Sequence, residues 1–129
     1  MNQNSKTKSE QLRQALQRLN EIIQIPPGPH RAEIDASIQR FEFCIELFWK
    51  SLQEKLLTEH GISVESPKKA FAQAYINELI IDEKIWIAMI NDRNLTVHTY
   101  NLELADEMYH RIQKYAPFLT QQYAACFKK

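Results

Sequence analysis

The chain has 129 residues, 44% hydrophobic, 25% charged and 10% aromatic, and its 16 basic side chains balance 16 acidic ones. This is the size of one domain. Size scaling buries about two-thirds of the unfolded surface, leaving roughly 7,000 Å² exposed from roughly 22,000 Å², so a core can form without disulfides or a structural metal. The balanced charge gives no net field toward nucleic acid or an anionic membrane, so RNA or phosphate must be met by a local patch.

Other classes fall away on pattern. No apolar run reaches the roughly 18 residues of a membrane span, and the polar stretch Met1 to Glu10 has no apolar segment of the secretory kind. Cys44 and Cys126 stand in apolar surroundings without CxxC spacing, which suits free buried thiols in a reducing cytoplasm rather than a zinc site or a disulfide framework. With glycine only at positions 28 and 61, there is neither a Walker loop nor a GxGxxG turn.

Residues 1–9 are predicted to be a disordered polar terminus, and 10–129 a single domain. From Glu10, the apolar residues Leu12, Ala15, Leu16, Leu19, Ile22 and Ile23 fall at helical spacing, and Pro26-Pro27-Gly28-Pro29 ends the helix. A longer helix follows, with Ile34, Ile38, Phe41, Ile45, Phe48, Leu52 and Leu56 on one stripe and Gly61 as its stop. Ser66-Pro67 reads as N-cap and first residue of a third helix carrying Phe71, Ala74, Tyr75 and Leu79. Asp82 can cap a fourth, with Ile85, Trp86, Met89 and Ile90 on one side, which weakens across Asn91 to Val97. Asn101 can cap a fifth, whose stripe runs from Ala105 through Met108, Tyr109, Ile112, Ala116, Leu119 and Tyr123 to Cys126. That stripe stays in phase past Pro117, implying a kink rather than a stop. No strand pattern competes. The expected fold is all-α, an antiparallel up-and-down bundle of four or five helices.

Phe41 to Trp49 is apolar nearly all round, apart from Glu42 and Glu46. Such a helix is either central in its bundle or shared with a second subunit, and in so short a chain a homodimer interface is the preferred expectation. Glu42, Glu46 and Lys50 form an i, i+4, i+8 row. Rows of this kind are usually solvated ion-pair ladders, but one crossing an apolar helix can line a cleft.

Asn91 to Asn101 is the densest polar cluster. Arg93 and His98 would point about 140° apart on an unbroken helix, so sharing a site needs a break between them or a second subunit. Beyond such a break, His98 and Tyr100 alternate as in an extended segment and face the same way. Arg93 can clamp a phosphate bidentately, and His98 can act as acid or base near neutral pH. On spacing alone, both also fit an ordinary helix end, as dipole complement and cap partner. His30, His60 and His110 fit surface or capping positions, and no HxxxH or HExxH pair offers a metal site. Lys68 and Lys69 open the third helix, where the dipole disfavours them.

The run Arg40 to Lys50 (RFEFCIELFWK) resembles the second helix of the nucleotidyltransferase substrate-binding protein family. The run Ile85 to Asn94, followed by His98-Thr99-Tyr100-Asn101, and the segment from Ser66 to Phe71 are similar to its later parts. The likeness spans residues 10 to 127 and places the chain with the HEPN superfamily, whose R-x4-6-H motif is matched by Arg93-x4-His98-x-Tyr100. The resemblance implies a small dimerising bundle in a toxin–antitoxin pair with a minimal nucleotidyltransferase. The toxin in such pairs is a metal-independent ribonuclease, cofactor-free, with its site at the dimer interface. The partner silences it by transferring AMP to the motif tyrosine. Carried over, Arg93 and His98 are the catalytic pair, Asn94 and Asp92 support them, and Tyr100 is the acceptor. Glu42, Glu46 and Lys50 remain possible cleft-lining residues. The alternative within the same family is a non-catalytic substrate-binding subunit of a two-component nucleotidyltransferase.

Overall fold

The computed structural model describes residues 7–127. In chain order it contains α1 (Lys8–Ile22), α2 (Ala32–His60), α3 (Pro67–Ile76), α4 (Glu83–Leu95), a 3₁₀ turn (Thr96–His98) and α5 (Leu102–Cys126). No strand occurs among the described residues. The expected all-α bundle is what forms. α1 starts ahead of Glu10 because the Thr7 hydroxyl accepts from the Glu10 backbone N–H at 3.2 Å, satisfying one of the free donors of a helix start. Of the terminus expected to be disordered, residues 1–6 lie outside the described residues, while 7–9 form this cap and first turn.

The local signals act where the sequence places them. Ser66 accepts from the Lys69 N–H at 3.3 Å ahead of Pro67, and the Asn101 carboxamide accepts from the Leu104 N–H at 3.2 Å. Gly61 takes φ 66°, and the paired bonds Gly61 N–H to Leu57 O and Ile62 N–H to Leu56 O close α2. Asp82 is a correction. It precedes α4, but with φ 63° its side chain makes no cap bond, and its backbone carbonyl receives Ile85 and Trp86 instead. α5 continues through Pro117. α3 stops at Ile76, so Leu79 lies beyond it and Tyr75 is exposed.

α2 packs against all four other helices. Phe41, Cys44, Phe48, Leu52 and Leu56 are fully buried along it. The apolar girdle of Phe41 to Trp49 is therefore mostly that of a central helix, and only Phe43 is left half exposed. At the heart of the core Trp86 is fully buried, stacked on Phe71 at 4.7 Å and edge-on to Phe48 at 4.8 Å. Both cysteines are free and buried. Burial pushes the Cys44 thiol up to about 12 and that of Cys126 up to about 11, the latter moderated by Lys55. No helix among the described residues is long and apolar enough to cross a membrane.

Candidate functional site

The exit of α4 carries the polar cluster. The helix does not unwind there into an extended segment. It tightens into the 3₁₀ turn and then a bend, because two threonine hydroxyls reach back to the backbone. Thr96 Oγ1 donates to the Arg93 carbonyl and Thr99 Oγ1 to the Thr96 carbonyl, both at 2.6 Å. The Asn101 N–H then donates to the His98 carbonyl at 3.1 Å before Asn101 caps α5. His98 and Tyr100 still stand side by side, rings 6.1 Å apart and inclined at 75°. His98 is exposed and Tyr100 is 82% exposed.

Arg93, one tight turn earlier, points to α2. Its Nη2 donates to Glu46 Oε1 at 3.4 Å, and Lys50 Nζ holds Glu46 Oε2 at 3.2 Å. Both Arg93 and Glu46 remain about a third exposed, so water screens the pair and it contributes about 0–1 kcal/mol. An incoming anion can displace such a partner.

Two clefts lie along α2 beside the α4 exit. One, of about 190 Å³, is lined by Ile45, Glu46 and Trp49 of α2, by Ile90, Arg93 and Asn94 of α4, and by Pro67. The other, of about 330 Å³, lies between Asp35, Ile38, Gln39 and Glu42 of α2 and Thr99 and Tyr100 of the turn. The α2 residues of both fall at steps of three and four from Asp35 to Glu46 and on to Trp49. The clefts thus follow one face of α2 over about 21 Å. Of the row on α2, Glu46 belongs to the Arg93 cleft and Glu42 to the Tyr100 cleft, while Lys50 lines neither and serves as an ion-pair partner. His98 lines neither cleft and stands at the surface beside Tyr100.

Asp92 points the other way. Its side chain, 9% exposed, accepts from Arg111 Nη1 at 2.8 Å and from the Tyr115 hydroxyl at 2.6 Å, both on α5. Tyr115 in turn stacks on Phe41 with ring centres 5.6 Å apart. Burial and the bonded Asp92 carboxylate hold the Tyr115 phenol well above its usual range. Asp92 therefore ties α4 to α5 and fixes which way Arg93, the next residue, can face. Arg111 and Tyr115 were not singled out in the sequence, although their i, i+4 spacing puts them on one face of α5. Arg31 is a second such residue, joining the start of α2 to Asp106 of α5 at 2.7 Å. His30, His60, His110, Lys68 and Lys69 are exposed and line neither cleft.

Comparison with known proteins concerns the chain as a whole. The model of nucleotidyltransferase substrate binding protein-like chains matches residues 7–126. The chain belongs to this family. Among members of the nucleotidyltransferase substrate-binding protein family and their relatives, a Haemophilus influenzae protein named "Probable ribonuclease HepT" is 33% identical over 96 residues. That match covers 69% of this chain but 66% of the relative, just under two-thirds of its length. A solved structure from Thermus thermophilus is 37% identical, with a TM-score of 0.82 over 90% of this chain and 98% of the other. A second, from Haemophilus influenzae, is described as revealing the fold of a substrate binding domain of a nucleotidyltransferase. It is 25% identical, with a TM-score of 0.72 over 89% of this chain and 96% of the other. The nucleotidyltransferase substrate-binding fold is thus shared along nearly the whole bundle.

Proposed function

We propose that the chain is the toxin of a toxin–antitoxin pair, a metal-independent endoribonuclease that works as a homodimer and is silenced by a partner nucleotidyltransferase. The observation that carries this reading is the placing of Arg93 in an open cleft, one tight turn before the exposed rings of His98 and Tyr100. The relative named as a ribonuclease supports it.

Cleaving RNA without a metal takes a base for the 2′-hydroxyl, an acid for the departing 5′-oxygen and a cation for the charge built on phosphorus. One His98 removes the 2′ proton as that oxygen bonds to phosphorus. The His98 of a second copy gives a proton to the 5′-oxygen as its bond to phosphorus breaks. The products are a 2′,3′-cyclic phosphate and a 5′-hydroxyl. Arg93 supplies the cation, with Asn94 beside it in the cleft. The dimer provides the second histidine. Its contact surface is supported by the exposed apolar residues Leu95, Val97 and Leu102 around the motif, a strip that a lone chain leaves in water. Silencing follows if the Tyr100 oxygen attacks the α-phosphorus of ATP bound by the partner. Pyrophosphate leaves, the phenol proton passes to the partner enzyme, and AMP stays beside His98.

The test is incubation of wild type and His98→Ala with total RNA in EDTA, with intact mass measured for each. Cleavage by the unmodified wild type alone supports the nuclease, and equal cleavage by His98→Ala refutes it. A second reading, a non-catalytic substrate-binding subunit, is favoured by the description of the Haemophilus structure and by the Glu46 counter-ion already on Arg93. It predicts no cleavage by protein of unmodified mass.

A further inference from the structure

We infer that the cleft between α2 and α4 is a subsite for an RNA base next to the cleaved phosphate, and that Glu46 selects the base. The inference rests on the nuclease reading, in which Arg93 holds that phosphate. Arg93 lines the cleft, so a group seated in it lies next to any anion the guanidinium binds. Its apolar lining comes from three elements, Ile45 and Trp49 on α2, Ile90 on α4 and Pro67 at the start of α3, with Ile45 and Ile90 almost fully buried behind it. Its polar side chains, apart from the Trp49 indole, are Glu46, Arg93 and Asn94. Walls of hydrocarbon with a polar rim suit a flat ring whose faces are apolar and whose edge carries donors and acceptors. The volume, about 190 Å³, is adequate, since roughly 150 Å³ already holds a six-membered aromatic ring.

A second observation concerns Trp49. Its indole N–H is buried and has no acceptor among the described residues, although the ring lines the cleft. A buried donor left without a partner is a standing cost, which a carbonyl or ring nitrogen of a bound base relieves once the ring shifts toward it. Trp49 also reports on occupancy, because Trp86, the other tryptophan of the chain, is fully buried in the core.

The choice of base follows from Glu46. A carboxylate only accepts, so it favours the exocyclic amino groups of cytosine, adenine and guanine over uracil, whose single N3–H lies between two carbonyls that the carboxylate repels. Asn94, with both a donor and an acceptor, tolerates either. Glu46→Gln adds a donor and removes the reason to reject uracil.

Tryptophan emission is followed while each of the four nucleoside 3′-monophosphates, and inorganic phosphate as control, is titrated into the full chain. Cut sites of wild type and Glu46→Gln are mapped on a defined RNA in parallel. The expected result is quenching by the cytidine, adenosine and guanosine compounds, about tenfold weaker binding of the uridine compound, and no quenching by phosphate alone. Trp49→Phe, which keeps the apolar wall, abolishes the signal. Glu46→Gln brings uridine to within about threefold of the others and admits cuts beside uridine. If wild type cleaves RNA but no nucleotide reaches Trp49 and the cut sites of Glu46→Gln are unchanged, the subsite is wrong and the nuclease stands. If phosphate alone quenches as strongly, the cleft holds only an anion and the base subsite falls. Discriminating quenching by unmodified protein that cuts no RNA keeps the pocket and removes the nuclease. Silence in both assays from protein of unmodified mass overturns both.

Discussion

The two ends of α4 differ in nearly every physical respect. At the first, Trp86, Met89 and Ile90 are buried, and Trp86 is enclosed by Phe48, Phe71 and Phe118. At the second, Arg93 is a third exposed, its ion pair is open to water, and Val97, His98 and Tyr100 face solvent. Between them Asp92 turns inward to Arg111 and Tyr115. One helix thus carries an apolar anchor, a buried polar tie and an accessible working end, in that order. On the proposed function, stability and chemistry are separated along it, so substitutions at its two ends should have effects that do not overlap.

The sharpest way to break this separation is at the working end. His98→Ala should lower RNA cleavage by about 10²–10⁴-fold, the range for loss of a general acid or base, while the urea midpoint stays at the wild-type value. A variant that lost both would show that the exit supports the fold. Trp86→Ala should do the reverse, costing about 3–5 kcal/mol in urea titration through the cavity left among three aromatic rings. Trp86→Phe should cost far less, since it also removes an indole N–H that has no acceptor.

Asp92→Asn falls between these extremes, at about 1–3 kcal/mol, because Arg111 and Tyr115 lose the charged acceptor they share. Tyr115→Phe on top of it should cost little more. A double-mutant cycle giving a coupling near zero would show that the tie is not one unit. The smallest effect concerns the thiols. Cys44 and Cys126 should resist alkylation at pH 8 in the native protein and react fully in urea. Because burial raises both in the folded chain, the unfolded chain loses thiol protons first above pH 9. Stability is therefore full below that pH and falls as it rises toward about 12.

The fold was legible because its signals are local. Gly61, Ser66-Pro67 and Asn101 act through their own backbone and nearest neighbours, so a linear reading finds them. Asp82 shows the limit, since the position is right but the residue works through a left-handed backbone rather than its side chain. Of the candidate residues, the sequence showed Arg93, His98 and Tyr100 through the family likeness and Glu46 through its row on α2; Arg93 and Glu46 share a cleft, and the rings of His98 and Tyr100 are neighbours. The partners of Asp92 were hidden because the contact joins residues 19 and 23 positions apart across two helices. Periodicity reports which face is apolar, not which polar group on one helix meets another. The tightening after Leu95 was missed for a related reason. The alternation of His98 and Tyr100 reads as an extended segment, whereas the hydroxyls of Thr96 and Thr99 donate to carbonyls three residues back and tighten the chain.

Those two hydroxyls have a consequence for association. The segment from Arg93 to Asn101 closes its own hydrogen bonds and holds its shape without help from any other molecule. A macromolecule that docks on it therefore meets a rigid template and incurs little entropic penalty for ordering it. The heat-capacity change on complex formation should then match the apolar area covered, with no added contribution from folding of the turn.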